Sequence, residues 1–177
     1  MPERASPVAQ CHPSPALSQR VCALLLQYHA WPEAYPRVAA ALAASCGASG
    51  APAPGKAVSG GDVSLLRIHP QRLWLISEYP AADRYPALDS EAGASLDLSH
   101  ARAIFRVAEE FAVPLLSRFI AIDLRPHHFA VDDVAVTPLH RVSVVLWRRA
   151  DGIDVLVPRS FARSIWELLA ETAGRLD

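Results

Sequence analysis

Short turns between apolar, β-branched runs constrain the fold of this chain more than any other feature of its sequence. Val134–Leu139 and Val142–Trp147 lie on either side of the two residues His140-Arg141. A connection this short favours an antiparallel hairpin. Ile153–Val157 follows as a third strand after the turn residues Asp151-Gly152. The sequence therefore predicts an antiparallel or mixed sheet in the second half of the chain.

The stretch Ser95–Val107 has the pattern of a strand, a tight turn and a second strand. Leu96 and Leu98 alternate with polar neighbours, and Ala103–Val107 is rich in residues that suit a pleated sheet. Ser99-His100 lies between them, where a serine hydroxyl can satisfy a local backbone donor. We expect the chain to turn there.

Two further strands and three helices are also predicted. The strands are Val63–Ile68 and Arg72–Ser77, separated by a short turn, and the helices are Arg37–Ser45, Glu109–Phe119 and a C-terminal segment that ends near Gly174. Ser160 is predicted to cap the last helix. Its inner face is predicted to contain Phe161, Ile165, Leu168, Leu169 and Thr172.

The N-terminal third is predicted to be helical or irregular. Residues 1–15 are rich in Pro, Ser and Ala and are expected to form a flexible N-terminal arm. In residues 16–28 the apolar positions recur at helical spacing, which predicts a helix. Gly47–Gly61 is a Gly/Pro-rich loop. We therefore predict an arm at 1–15, a helical extension and loop at 16–61, and a single α+β domain with helices packed on its sheet at 62–177.

Composition excludes several classes of protein. A chain of 177 residues that is 51% hydrophobic can bury a sizeable core. Its net charge of −1 gives no electrostatic reason to expect a nucleic acid partner. The longest apolar run near the N-terminus is too short to cross a bilayer, so no membrane partner is expected. Three cysteines without a CxxC spacing favour reduced thiols and a cytoplasmic protein.

No group of residues has the pattern of an active site. The adjacent histidines His127-His128 point to opposite faces of an extended segment, which disfavours a metal site. Asp132-Asp133 are sequential acids at a loop boundary, where carboxylates are usually solvated. Ser99-His100 lacks the G-x-S-x-G turn of a nucleophile. We predict no catalytic residue and no metal ligand in this chain, and the cofactor-binding residues stay unknown.

Arginines cluster on the elements around the predicted hairpin. They face an acidic partner surface or are solvated at the sheet edges, and the sequence does not decide between the two. These arginines are Arg102, Arg106, Arg141, Arg148, Arg149 and Arg159.

Five motifs in the second half resemble the gamma subunit of heterotetrameric sarcosine oxidase. They are Arg72–Ser77 with its tryptophan, Asp97–His100, Asp123–His127 with Phe129, Val144–Trp147, and Leu156–Ala162 followed by Trp166. The chain departs from that family at Ala108–Phe111, where a Gly-Pro is usual, so it resembles a divergent member. The residues singled out as family motif or interface positions are Trp74, Asp97, Ser99, His100, Pro126, Trp147, Pro158, Arg159, Ser160, Phe161 and Trp166.

The resemblance implies a noncatalytic subunit with a structural and assembly role. Such a chain has a fold similar to the folate-binding domain of aminomethyltransferases. Its expected partners are alpha, beta and delta subunits, which hold FAD, FMN, NAD and tetrahydrofolate, while this chain holds none of them. The complex removes an N-methyl group from sarcosine or a related amine by flavin oxidation.

Two alternatives belong to other classes of protein. A stand-alone folate-binding or one-carbon accessory protein is the first, although the chain lacks the K-G-C-Y-x-G-Q-E signature of one such group. A scaffold unrelated to amine oxidation is the second. A chain that is a stable monomer by itself would favour the scaffold.

Overall fold

The structure is a computed structural model that describes residues 6–80 and 82–176. These residues form ten strands and three α-helices. The strands are β1 (Leu17–Arg20), β2 (Leu24–Ala30), β3 (Ala57–Gly60), β4 (Val63–His69), β5 (Arg72–Ser77), β6 (Gly93–Asp97), β7 (Arg102–Ala108), β8 (Val134–Leu139), β9 (Val142–Arg149) and β10 (Gly152–Pro158). The helices are α1 (Tyr35–Ser45), α2 (Glu109–Leu116) and α3 (Ala162–Ala173).

The chain divides into two compact units, and the first is built from three separate segments. Its described residues are 6–20, 101–131 and 136–176. It holds a sheet in the order β1-β7-β10-β9-β8. Phe105 on β7 meets the edge of the Trp166 ring of α3 with centroids 5.2 Å apart. This edge-to-face contact is a preferred aromatic geometry, and it seats α3 on the sheet.

The second unit contains residues 21–80, 82–100 and 132–135 of the described chain. Its sheet has the order β3-β4-β5-β2-β6. The alternate residues Leu24, Leu26 and Tyr28 of β2 pack with Val38 and Leu42 of α1 in one buried cluster. The apolar stripe of α1 therefore covers one face of this sheet.

The predicted α+β class is confirmed, and both sheets are antiparallel where their register is defined. The strands of Ser95–Val107 also form, but β6 and β7 belong to different sheets. The predicted segment boundaries at residues 15 and 61 stay predictions. The chain passes from one compact unit to the other at different positions, after residues 20, 100, 131 and 135.

The predicted helix at residues 16–28 is wrong, because this segment forms β1 and β2. Leu24–Ala30 pairs with β5 on one side and β6 on the other. Val21, which a helix would have placed on its apolar stripe, is 80% exposed. The apolar spacing suits either structure over so short a run, and strands distant in sequence decide between them. The predicted loop Gly47–Gly61 also ends early, since Ala57–Gly60 is β3.

Part of the predicted flexible arm is packed against the first unit. Residues 1–5 lie outside the described residues. Further along, Val8 is buried, and the carbonyl of His12 accepts a hydrogen bond of 2.9 Å from Trp166 Nε1. The segment before β1 is therefore tied to α3 by a specific bond.

The start of the last helix also differs from its prediction. Residues 159–161 form a single 3₁₀ turn, and no side chain caps either this turn or α3, so Ser160 is not a cap. Phe161 is 48% exposed, whereas Ile165, Trp166 and Leu169 are buried. The 3₁₀ turn rotates Phe161 away from the stripe that α3 buries, because its side chains repeat every three residues rather than every 3.6.

We expect Trp166→Ala to destabilise the first unit by about 3–5 kcal/mol, because it removes a buried ring and leaves a cavity. Phe161→Ala is the matched control, since that ring is largely exposed. Urea unfolding, followed by far-UV circular dichroism because this signal does not depend on tryptophan, measures the free energy of unfolding of both variants. An equal loss of stability in the two variants would show that Phe161 is buried in solution.

We expect Tyr28 to make the second unit sensitive to alkali. Burial, with a smaller contribution from Cys46 and Tyr85, raises the pKa of Tyr28 from 10.0 to about 12. The folded state therefore binds the phenol proton more tightly than the unfolded state, so stability is full below pH 10 and falls as the pH rises towards 12. Tyr28→Phe removes this dependence. Denaturation midpoints of both proteins across that interval test it, and parallel profiles would contradict it.

Candidate functional site

A buried arginine organises the motif loop of the first unit. Arg148 on β9 is 2% exposed. Its Nε donates to the carbonyl of Phe129 at 3.0 Å and its Nη2 donates to the carbonyl of Leu124 at 3.0 Å. Its Nη1 donates to Glu109 Oε2 at 2.6 Å. A buried guanidinium needs such partners, because an unpaired charge in the interior is very costly.

Two of the three bonds of Arg148 fix a loop, Asp123–Phe129, that presents polar side chains to solvent. Arg125 donates to Asp123 from its Nε, at 2.9 and 3.0 Å, and from its backbone N–H, at 3.0 Å. The Arg125 bonds hold the pKa of the Asp123 carboxyl well below its usual range. Both side chains are exposed, so this pair shapes the loop more than it stabilises the fold.

The predicted site residue Pro126 and the neighbouring histidines lie on the exposed part of this loop. The rings of His127 and His128 are 4.3 Å apart, and His128 Nε2 is 3.5 Å from Asp123 Oδ2. Residues 6–80 and 82–176 contain no group of three His, Cys, Asp or Glu arranged to hold a metal ion. This loop therefore presents a polar surface.

A second buried arginine crosses the same sheet. Arg106 on β7 lies opposite Asp154 on β10, and its Nη2 donates to Asp154 Oδ2 at 2.8 Å. Arg106 also pairs with Asp151 at the preceding turn. Burial opposes the charge of Arg106, but the bonds from the two aspartates outweigh it and raise the arginine pKa. The predicted site residue Trp147 is the other neighbour of Asp154 in the register and is 4% exposed, with the Arg149 guanidinium 3.9 Å above its ring.

Neither reading of the arginine cluster therefore holds for its two central members. Arg106 and Arg148 are buried in specific bonds instead of facing a partner or the solvent. One sequence signal points to this outcome. Asp154 lies within the apolar run Ile153–Val157, where an acid needs a buried cation.

Predicted site residues in the second unit lie on β5 and at the end of β6. Trp74 is buried and its Nε1 donates to Gln27 Oε1 at 3.0 Å. Asp97 Oδ1 accepts a bond of 2.7 Å from the backbone N–H of Ser99. The Ser99 hydroxyl accepts from the backbone N–H of Leu25 at 2.8 Å. Its partner is therefore distant in sequence, which corrects the predicted local bond, and His100 beside it is exposed.

The remaining predicted residues connect β10 to α3. Pro158 ends β10, and the backbone N–H of Arg159 donates to the carbonyl of Ala101 at 2.9 Å. Ser160 and Phe161 are exposed, and Trp166 is buried. This motif therefore consists of a fixed connection followed by one exposed aromatic ring.

A groove of about 440 Å³ runs beside α3 in the first unit. It is lined by His12, Pro13, Trp166, Glu167, Ala170 and Glu171. Two carboxylates and no cation line it, so it is unsuited to anionic ligands. No helix in the described part of the chain is long and apolar enough to cross a membrane.

These features define the structural class of the chain. The chain is an α+β protein of two antiparallel sheets. Its motif residues hold loops and connections in place.

Comparisons with known proteins identify the family. No protein-family model matches the chain. It is 34% identical over 127 residues to the sarcosine oxidase gamma subunit of Corynebacterium sp. (strain U-96), which is 68% of this chain and 61% of that subunit. It is 31% identical over 101 residues to the gamma subunit of Arthrobacter sp., which is 57% of this chain and 47% of that subunit. The chain therefore matches less than two thirds of the length of these relatives.

A solved structure extends the similarity along nearly the whole chain. The match is to a chain of heterotetrameric sarcosine oxidase from Corynebacterium sp. U-96 in complex with pyrrole 2-carboxylate. It covers 97% of this chain and 95% of that chain, with a TM-score of 0.79 and 26% identity. The chain belongs to the family of sarcosine oxidase gamma subunits, and the resemblance inferred from its motifs is confirmed.

We expect Arg148→Met to destabilise the first unit by about 3 kcal/mol or more, because it leaves two buried carbonyls, those of Leu124 and Phe129, without their donor. Arg125→Met is the matched control. It removes an exposed ion pair of the same loop and should leave the denaturation midpoint unchanged. Chemical denaturation and hydrogen exchange of residues 117–131 measure both variants. A protected loop in Arg148→Met would mean that the arginine does not hold it.

Proposed function

We propose that this chain is the noncatalytic gamma subunit of a heterotetrameric sarcosine oxidase-like complex. The complex oxidatively demethylates sarcosine or a related N-methylated amine, and this chain has a structural and assembly role in it. One observation carries the proposal. The match to a chain of a heterotetrameric sarcosine oxidase extends over 97% of this chain, at 26% identity.

The bonds of the charged side chains support a role in assembly. Arg148 is held by three partners and Arg106 by two aspartates. A general acid or base has to exchange its proton with a substrate, whereas a buried arginine held by such partners keeps its proton. Releasing either arginine would leave a buried acid or carbonyl without its partner. These residues therefore maintain the shape of the subunit.

The partners in this proposal are alpha, beta and delta subunits, and they hold FAD, FMN, NAD and tetrahydrofolate. All four cofactors carry phosphates or carboxylates, which basic side chains bind best. The groove beside α3 instead presents Glu167 and Glu171. The described residues of this groove do not fit such a cofactor, and the assignment of the cofactors to the partners follows from the resemblance. The fold relation to the folate-binding domain of aminomethyltransferases stays a prediction from the resemblance.

Purification of the N-terminally tagged chain from its native host tests the proposal. We expect a yellow complex that contains three further polypeptides, shows flavin absorbance and consumes sarcosine or another N-methylated amine. Mass spectrometry identifies the polypeptides. A colourless chain purified alone would overturn the proposal, and folate titration would then examine the stand-alone folate-binding alternative.

The noncatalytic role has its own test in that complex. His100, His127 and His128 are exposed and are the residues of the described motifs best suited to proton transfer at neutral pH. We expect His100→Ala and the double variant His127→Ala/His128→Ala to keep the kcat of the complex. A loss of tenfold or more in kcat, with the complex intact by mass, would contradict a noncatalytic subunit.

A further inference from the structure

One of the two edge strands of the second unit's sheet is β6. This strand pairs with β2 on one side only, and the sheet ends there. Ala94, Ser95, Leu96 and Asp97 are all exposed. Natural sheets usually protect such an edge with lysine, proline or a bulge. Gly93–Asp97 contains neither lysine nor proline, its one charged residue is Asp97 at the end of the strand, and its register with β2 is continuous.

The register shows which backbone groups of β6 point outwards. Trp31 N–H donates to the carbonyl of Ala92 at 2.9 Å, and Leu98 N–H donates to the carbonyl of Leu25 at 2.8 Å. In an antiparallel ladder the bonded residues alternate, so Ala94 and Leu96 also point towards β2. The N–H and C=O of Ser95 point away from β2, towards the open edge.

Apolar surface lies on both faces of this edge. Leu96 is 55% exposed and Trp31 is 43% exposed. The Trp31 ring lies 5.9 Å from His29, which pairs with Ala94, so these side chains share one face of the sheet. A cavity of about 200 Å³ is lined by Ser95, Leu96 and Asp97 of this edge and reaches Tyr28, which pairs with Ser95 on the other face, and Tyr85. Alternate side chains of an added strand would contact one face and then the other.

We propose that β6 is a docking edge for an extended, largely apolar strand of a partner subunit, which pairs with the backbone of Ser95 and continues the sheet. The surface indicates what binds there. The backbone N–H and C=O of Ser95 face outwards between apolar side chains, and a further strand supplies both the hydrogen-bond partners and the side chains that fit them. The inference rests on the proposed function for the existence of partner subunits. It adds the place and the mode of their contact.

Ser95→Pro tests the edge directly. Proline removes only the outward N–H and leaves the bonds between β2 and β6, which Ala94 and Leu96 make. Ser95→Ala is the matched control, since it keeps that N–H. Leu96→Lys is a second variant, which places a charge on β6 beside the added strand without disturbing a buried group, and Val21→Lys is its control at another exposed apolar site.

Each variant competes with the wild-type chain for the partner subunits in cells that express both under different tags. We expect Ser95→Pro and Leu96→Lys to enter the complex about tenfold less often than the wild-type chain. Ser95→Ala and Val21→Lys should enter it equally often. Equal entry of Ser95→Pro and Leu96→Lys overturns the docking edge, whereas failure of the wild-type chain to form any complex overturns the proposed function.

Hydrogen exchange distinguishes strand addition from other contacts. We expect the Ser95 amide to exchange fast in the isolated chain and to become protected in the complex, while the Leu96 amide is protected in both. An unprotected Ser95 amide in the intact complex overturns the proposal. So does a dimer of the isolated chain that Ser95→Pro converts to a monomer, because the occupant would then be a second copy.

Discussion

The burial of the Arg148 guanidinium is the constraint on which the first unit depends most. A buried cation is tolerable only when several acceptors surround it. Here the acceptors come from the start of α2 and from two points of the Asp123–Phe129 loop. Strand, helix and loop therefore have to reach their final positions together. A loop without regular secondary structure gains a defined shape from this one side chain on β9.

The motifs that relate this chain to its family have mainly structural roles in the described residues. Ser99 bonds a backbone group 74 positions away, Trp74 bonds a side chain of the neighbouring strand, and Arg159 joins the end of β10 to Ala101. Such bonds depend on a particular side chain or backbone geometry at one position. Surface positions between them are free to change. This accounts for a TM-score of 0.79 at only 26% identity.

Local patterns predicted the elements that form with near neighbours. The hairpin of β4 and β5 and the series β8, β9, β10 have short turns, so sequence proximity determines their pairing. Residues 16–28 were mispredicted because their partners β5, β6 and β7 lie far along the chain, and apolar spacing alone does not reveal them. The arginine bonds were missed for the same reason. Arg106 and Asp154 are 48 positions apart, and only the acid within an apolar strand indicated that it needed a partner.

The interrupted course of the first unit affects how the chain is made. Leu17 of β1 pairs with Val107 of β7, and β7 also pairs with β10. During synthesis β1 emerges before the whole main segment of the second unit, residues 21–100. Domains generally fold as units as the chain emerges, and contacts between distant residues form slowly. The inserted unit therefore has the opportunity to fold on the ribosome first, while Leu17 and the backbone of β1 stay without their partner strand until β7 has been translated.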